Sequence, residues 1–184
     1  MNRQLPPLFS PLSLLAACGL ALAAACAPQL AEKKPTNDYQ VAAANVAAPA
    51  NLRSVCYNDA DLSAFRVRMV QQQLVVGALQ CKGPDGKAYL DDEYAAFVKK
   101  FTPELSSNAA ELKSLVSRKK ANLDVMVTEI ANRTAQRPTL DPSFCSRHQR
   151  AFDWALLTEV TTLTQVPAPY DLGPEMRVFP CPKG

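Results

Sequence analysis

Histidine and glycine are scarce in this chain of 184 residues, which contains one histidine, His148, and six glycines. A single histidine excludes zinc sites built from several histidines and the paired Glu-x-x-His motifs of di-iron helical bundles. The sequence also contains no glycine-rich phosphate loop, nucleophile elbow or zinc-protease motif. We therefore predict no catalytic residue, no metal ligand set and no cofactor site, and we expect that the chain is not an enzyme.

An excess of charge of one sign is also lacking. The formal net charge is +3, and the first 25 residues contribute only one charged side chain, Arg3. Nucleic-acid binding requires a clustered basic field that displaces counterions from phosphates. The densest basic cluster is Arg118, Lys119 and Lys120, and we interpret it as a solvated helix end or turn. The composition therefore excludes nucleic acid as a partner.

The N-terminal residues have the pattern of a bacterial export signal. Arg3 precedes an apolar stretch over residues 8–25, and a run of three alanines then stands before Cys26. Because no charged stop-transfer flank follows at once, residues 1–25 are predicted to be a cleaved signal peptide rather than a membrane span. We expect the mature protein on the periplasmic side of the inner membrane.

Two segments resemble the lipobox of bacterial lipoprotein signals, and they end at Cys18 and Cys26. Cleavage before Cys18 would leave Cys26 as an unpaired cysteine. Cleavage before Cys26 leaves an even number of further cysteines, which pair as two disulfides in an oxidising compartment. Those four cysteines are Cys56, Cys81, Cys145 and Cys181. We favour a lipid anchor on Cys26, with Cys18 or a signal without lipid as the alternatives.

The mature chain divides into a linker and a domain. Residues 26–51 contain three prolines, many alanines and no large aliphatic run, which is typical of a flexible segment. A short alanine-rich helix over residues 41–48 is the alternative there. Residues 52–184 are predicted to form one disulfide-linked helical domain.

Helical periodicity dominates that domain, so we predict an all-α fold, a small antiparallel bundle of about four helices. The first helix follows the capping residue Asn58 and is apolar on two faces, which predicts a central position. Pro103 either kinks the second helix or opens a new turn. The fourth helix is predicted to open at Asp141 and to end at Pro167. The predicted helices cover residues 61–80, 92–116, 123–137 and 141–166.

The bundle topology predicts the disulfide pairing. Cys56 and Cys81 lie at opposite ends of a helix of roughly 20 residues, roughly 30 Å apart, so they do not pair. In an up-down-up-down bundle the end of the first helix meets the start of the fourth, and the tail returns beside the start of the first. We therefore predict the pairs Cys81–Cys145 and Cys56–Cys181.

A few side chains outside the apolar faces are candidates for contacts. Cys145 and His148 have the spacing of two metal ligands on a helix, but we assign Cys145 to a disulfide. At least one of Gln71, Gln72 and Gln73 is predicted to be buried or at an interface. Apolar residues of the C-terminal tail, residues 170–184, are predicted to pack on the domain, with docking onto a partner as the alternative. These tail residues are Tyr170, Met176, Val178 and Phe179.

The general layout of the whole chain resembles that of a known family. The chain is predicted to be exported and helical, it lacks cofactor motifs, and it has four cysteines in its mature part. It is similar to the small third subunit of the membrane-bound quinoprotein alcohol dehydrogenase of acetic acid bacteria. Residues 71–81 also resemble segments of small uncharacterised alphaproteobacterial exported proteins. The first resemblance implies a non-catalytic accessory subunit bound to a larger quinohaem catalytic subunit and to a cytochrome c subunit that reduces ubiquinone. The alternative is a free-standing helical envelope lipoprotein that binds a small molecule or modulates another protein.

Overall fold

A computed structural model describes residues 34–183 of the chain. The predicted signal peptide, residues 1–25, and the predicted lipid site at Cys26 lie outside these residues. Within the described part the secondary structure is helical, and only isolated β-bridges occur, which confirms the all-α prediction. The α-helices are α1 (Leu52–Val55), α2 (Asp59–Gln80), α3 (Asp91–Lys119), α4 (Leu123–Ala135) and α5 (Phe144–Ala155). None of the helices in residues 34–183 combines the length and apolar content that a membrane span needs.

Helix α2 is the central helix, as its two apolar faces predicted. Its N-terminus is capped by the Asn58 side chain, which accepts a hydrogen bond of 2.8 Å from the backbone N–H of Asp61,. The helix contacts α3, α4 and α5 as well as the 3-10 turn Leu163–Gln165. Twelve of its residues are buried, so its sequence is apolar around most of its circumference.

Pro103 opens no new turn, because α3 runs without interruption from Asp91 to Lys119. Proline removes one backbone hydrogen bond in a helix, the one that the Lys99 carbonyl would accept. Both residues are exposed, so water can satisfy this carbonyl. The lost bond is therefore tolerated on the outer face of the helix.

The predicted extent of the fourth helix was wrong, because α5 begins at Phe144 and ends at Ala155 rather than near Pro167. The ammonium of Lys100 donates to the carbonyl oxygens of Ala155 and Leu157 over 2.8 and 2.6 Å. These bonds satisfy carbonyls at the end of the helix. The apolar residues beyond it continue in a separate 3-10 turn, so their helical spacing reflects burial rather than one continuous helix.

The helices alternate in direction, and both predicted disulfides are confirmed. Cys81 pairs with Cys145 at the end where α2 stops and α5 starts, with the Cα atoms 5.5 Å apart. Cys56 pairs with Cys181 at the opposite end, with the Cα atoms 4.6 Å apart. We name the ends apical, at Cys81–Cys145, and basal, at Cys56–Cys181.

The C-terminal tail packs on its own domain, as favoured from the sequence. Tyr170, Val178 and Phe179 are buried, and Met176 is half-buried. Two backbone hydrogen bonds join the tail to Tyr57, of 2.9 Å from its N–H to the Phe179 carbonyl and 3.0 Å from the Cys181 N–H to its carbonyl. The tail is therefore part of the core.

The predicted flexible linker, residues 26–51, requires a correction, because part of it packs on the domain and the compact unit begins at Lys34. Tyr39 is fully buried, and its hydroxyl donates to the Pro167 carbonyl over 2.9 Å. Val41 exchanges backbone hydrogen bonds with Pro169 and Asp171. One large aromatic side chain with satisfied polar groups buries enough surface to order its neighbours. The alternative helix over residues 41–48 does not form.

Candidate functional site

Cys145 and His148, the residues with metal-ligand spacing, are used for structure. Cys145 is bonded to Cys81, so its sulfur is not a thiolate ligand. Nδ1 of the buried His148 donates to the Phe144 carbonyl over 2.7 Å. Burial lowers the pKa of His148 to about 4, so the ring is neutral at neutral pH,. Within residues 34–183, no three His, Cys, Asp or Glu side chains converge on a possible metal position.

His148 instead fixes the distance between α2 and α5. A Cβ atom at Gly77 would lie 2.3 Å from Cδ2 of His148, closer than real contacts allow. The imidazole also packs against the Phe144 ring, with the ring centroids 4.1 Å apart. Glycine is therefore required where the central helix meets this side chain.

A polar cluster around Tyr170 joins both ends of the described chain to α5. The Tyr170 hydroxyl donates to Asp141 over 2.7 Å, and Arg147 Nε donates to the same carboxylate oxygen over 3.0 Å. Arg147 also donates to the Tyr39 carbonyl. Although partial burial opposes ionisation of Asp141, the hydrogen bonds from Tyr170 and Arg147 lower its pKa. Burial raises the pKa of Tyr170, so the phenol stays protonated and serves as a donor.

Gln73 is the buried glutamine that the sequence predicted. Its amide donates to the Tyr170 carbonyl over 2.7 Å, and its side-chain oxygen accepts from the Tyr170 N–H over 2.8 Å. Gln71 and Gln72 are half-buried on α2. The Gln73 side chain therefore satisfies both backbone groups of the tail residue above it, which is a structural role.

The basic cluster at the end of α3 is directed into the domain. Arg118 forms an ion pair with Asp61, whose side chain is only 2% exposed, and Lys119 lies 3.8 Å from the same carboxylate. Lys119 also donates to the carbonyl of Cys56. Two of the three basic side chains therefore neutralise a buried acid and hold the basal end together, and Lys120 is exposed in a left-handed conformation.

The apical end carries exposed apolar side chains. Leu140 is 75% exposed, Leu79 is 66% exposed and Tyr89 is 44% exposed. Leu79 lies two residues before Cys81, the Tyr89 N–H donates to the Cys81 carbonyl, and Leu140 belongs to the connection into α5. We name Leu79, Tyr89 and Leu140 the apical surface. Large apolar side chains gathered at one exposed end are a feature of interaction sites.

A cavity of about 390 Å³ lies between α2 and the tail, and we name it the tail cavity. Most of its lining residues are apolar, although the accessible wall is polar and apolar in about equal parts, and its charged lining residues are Arg66 and Asp171. Among the described residues Arg66 has no ion pair or hydrogen bond, whereas Asp171 accepts from the Gly173 N–H over 3.1 Å. The apolar walls include Leu62, Phe65, Met69, Val70, Leu163, Val166, Val178 and Phe179.

A second cavity, also of about 390 Å³, lies between α4 and the tail. Its charged lining is largely paired, because Glu175 accepts from Arg133 over 3.4 Å and Arg133 also binds Glu129 over 2.6 Å. Arg137, outside the lining, approaches Glu175 to 2.6 Å. These bonds attach the 3-10 turn Pro174–Met176 to α4 and to Arg137 just after it. We therefore interpret this cavity as a gap between packed structural elements and not as a binding site.

Sequence reasoning missed several contributors to these sites. Tyr39 lay in the predicted linker. The available signal for its burial was that it is the only aromatic residue among residues 26–51. The hydrogen bonds that join Asp141 and Arg147 to Tyr170 connect segments far apart in the chain, so no local sequence pattern indicates them. No protein-family model matches the chain, and neither a curated protein nor a solved structure matches it.

Proposed function

We propose that this protein is a non-catalytic accessory or assembly subunit of a membrane-attached complex that faces the periplasm. The apical surface carries this proposal. Its three apolar side chains lie at the end of α2 and in two connections between helices. The Cys81–Cys145 disulfide and the packing of α2 on α5 hold these segments in place. A surface that is already ordered loses little conformational freedom when a partner covers it. Such a surface suits a stable subunit contact.

The partners that we favour are the larger catalytic subunit and the cytochrome c subunit of a quinone-reducing alcohol dehydrogenase. We favour these partners because the chain resembles the small subunit of that complex in its general layout. In such a complex the chain would carry no redox group and would support assembly or stability. A lipid on Cys26 would keep it at the membrane near its partners.

Co-purification from the native membrane in mild detergent tests the proposal. Leu79 and Leu140 are both replaced by serine, and the matched control is Val125→Ser, because Val125 is similarly exposed at 64% and lies near the basal end of α4. We expect the double variant to recover about tenfold less of the larger subunits, as loss of a contact centre does. The control is expected to recover the wild-type amount. Equal recovery with all three proteins would refute the apical surface as the contact.

The tail cavity favours a second candidate, a free-standing envelope lipoprotein that binds a small molecule. Its volume of about 390 Å³ falls in the range of ligand sites,. A monomer that leaves the membrane without larger subunits and carries a bound small molecule in native mass spectrometry would support this second candidate. Recovery with stoichiometric larger subunits would support the first.

A further inference from the structure

We propose that the tail cavity binds a free apolar monocarboxylic acid, with the carboxylate on Arg66 and the hydrocarbon part between α2 and the tail. This inference is independent of the accessory-subunit proposal, because it concerns residues 62–70 of α2 rather than its apical end, and a different kind of ligand. Three features of the cavity support it, namely its volume, the apolar side chains in its wall and the one cation in its lining.

The walls define the apolar part of the ligand. Phe65, Met69 and Val70 come from α2, and Val166 and Phe179 come from segments that cross over it. These side chains are buried against the rest of the protein, so the walls are already formed. Burial of hydrocarbon there removes apolar surface from water. The apolar part of the wall therefore suits the hydrocarbon chain or ring of a ligand.

Arg66 defines the polar part of the ligand. Its side chain is exposed and has no ion pair or hydrogen bond within residues 34–183. Among the same residues, Arg68 and Arg177 also have no ion pair, but neither lines this cavity. A guanidinium offers two parallel donors that match a carboxylate.

Asp171, the other charged lining residue, makes a positively charged ligand the competing possibility. One of its carboxylate oxygens accepts from the Gly173 N–H and forms a turn, so this carboxylate already has a structural partner. No ion pair joins Asp171 to Arg66, which leaves the guanidinium available for an anion. Arg66 is wholly unpaired, whereas one oxygen of Asp171 is held in the turn, so we assign the charged group of the ligand to Arg66.

Titration calorimetry with decanoate tests the site on the purified protein with both disulfides formed. We expect one molecule to bind, and the affinity for hexanoate, octanoate and decanoate to rise by about two- to fourfold for each added methylene. Arg66→Gln should weaken decanoate about tenfold and leave the uncharged analogue decanol unchanged. The matched control is Lys113→Gln, which removes an exposed positive charge on α3 outside the cavity lining and should bind as the wild type does.

A second pair of variants tests the location without touching the core. Thr164 is an exposed lining residue, and Thr158 is an exposed threonine outside the lining. Thr164→Trp should fill the entrance and abolish decanoate binding, whereas Thr158→Trp should not, with circular dichroism confirming that both fold. The proposal is overturned if decanoate fails to bind the wild type at about 1 mM, if Arg66→Gln binds it equally well, or if Thr164→Trp retains it.

Discussion

The two ends of the bundle are both closed by a disulfide, but they are built differently. At the apical end Cys81 is fully buried and the bond joins two helix ends, next to the contact of Gly77 with His148. At the basal end Cys181 is exposed and the bond joins two segments that are not helical. Ion pairs to Asp61 support that end. The apical end therefore combines a buried disulfide with the close contact of Gly77 and His148, and the basal end combines a partly exposed disulfide with ion pairs to a buried acid.

This difference is why we propose the apical end as the contact with a partner. The apical end presents the larger apolar side chains Leu79, Tyr89 and Leu140 to solvent, whereas the basal end exposes the smaller Val55 and Val125 and pairs much of its charge internally. An apolar surface on a rigid support is suited to a permanent contact. Four predictions test this difference between the ends.

Removal of either disulfide should have the largest effect, and the apical one should matter more. The loops span 64 residues at the apical end and 125 at the basal end, which corresponds to about 4 and about 5 kcal/mol of loop-closure entropy. Serine at a buried position adds about 1–3 kcal/mol for an unsatisfied hydroxyl, and more of it at position 81, which is fully buried, than at position 56, which is 8% exposed. We expect Cys81→Ser with Cys145→Ser to unfold at lower urea than Cys56→Ser with Cys181→Ser.

The same variants link stability to the proposed subunit role. Cys81→Ser should lower the amount of any membrane complex by unfolding this domain, measured by co-purification. A basal pair that unfolds first in urea would show that loop length outweighs burial and would reverse the comparison. Unchanged complex levels in Cys81→Ser would argue against a structural role in the complex.

Acid should destabilise the apical end through His148. Burial lowers its pKa to about 4 in the folded state, so between pH 6.5 and 4 the unfolded chain binds more protons. Stability is then complete above pH 6.5 and decreases as the pH falls towards 4, by about 3 kcal/mol in total. Urea unfolding across this range measures the slope.

His148→Leu is the matched variant for this pH dependence. It keeps an apolar side chain beside Gly77 and removes the titrating group, so its stability should fall less steeply between pH 6.5 and 4. Protonation of Asp141, whose folded pKa is also lowered, adds a loss of the same sign that remains in this variant. Identical slopes for wild type and His148→Leu would contradict the assigned role of burial.

Gly77→Ala should destabilise the contact of α2 with α5 by about 2 kcal/mol, because the new methyl group meets the imidazole at 2.3 Å,. Thermal unfolding measures the change. In the double variant Gly77→Ala with His148→Ala the clash is absent, so the loss from the alanine at position 77 should largely disappear. Additive losses in this double-mutant cycle would show that His148 is not the obstacle.

Asp61→Asn should have the smallest effect, about 1 kcal/mol, at the basal end. The substitution removes the charge that binds Arg118 and Lys119, but Arg118 remains largely solvated at 53% side-chain exposure. Asn58 still caps α2. Chemical denaturation at low and high salt measures the loss, which should shrink in high salt because charge pairs are screened. A loss larger than that of Gly77→Ala would show that the basal ion pairs contribute more to stability than the apical contact does.

Part of the fold was predictable because its causes are local. The Asn58 cap, the apolar faces of α2 and the turn after Gln80 lie within a few residues of the structure they determine. The end of α5 was not predictable, because the ammonium that binds its last carbonyls comes from Lys100 on α3. The spacing of apolar residues beyond Ala155 still resembled a helix, since burial in a 3-10 turn and in an extended segment also selects apolar side chains.

The candidate sites were less predictable than the fold. The sequence indicated that one glutamine of residues 71–73 is buried, but only the tail passing over α2 selected Gln73. The tail cavity joins residues of α2 to segments about 100 positions later, and the apical surface joins the end of α2 to two separate connections. No local pattern encodes which side chains such surfaces leave open.

The amino-acid sequence by itself determined the helices and, through the alternation of their directions, the two disulfides. Helical periodicity and capping act within one or two turns, and the distance along a helix excludes one pairing of the cysteines. Only the tertiary structure decided that Tyr39 packs under the tail, that Gly77 admits His148, and that a cavity stays open beside Arg66. Those outcomes depend on contacts between distant segments, whose energies are settled by the fit of surfaces rather than by neighbouring residues.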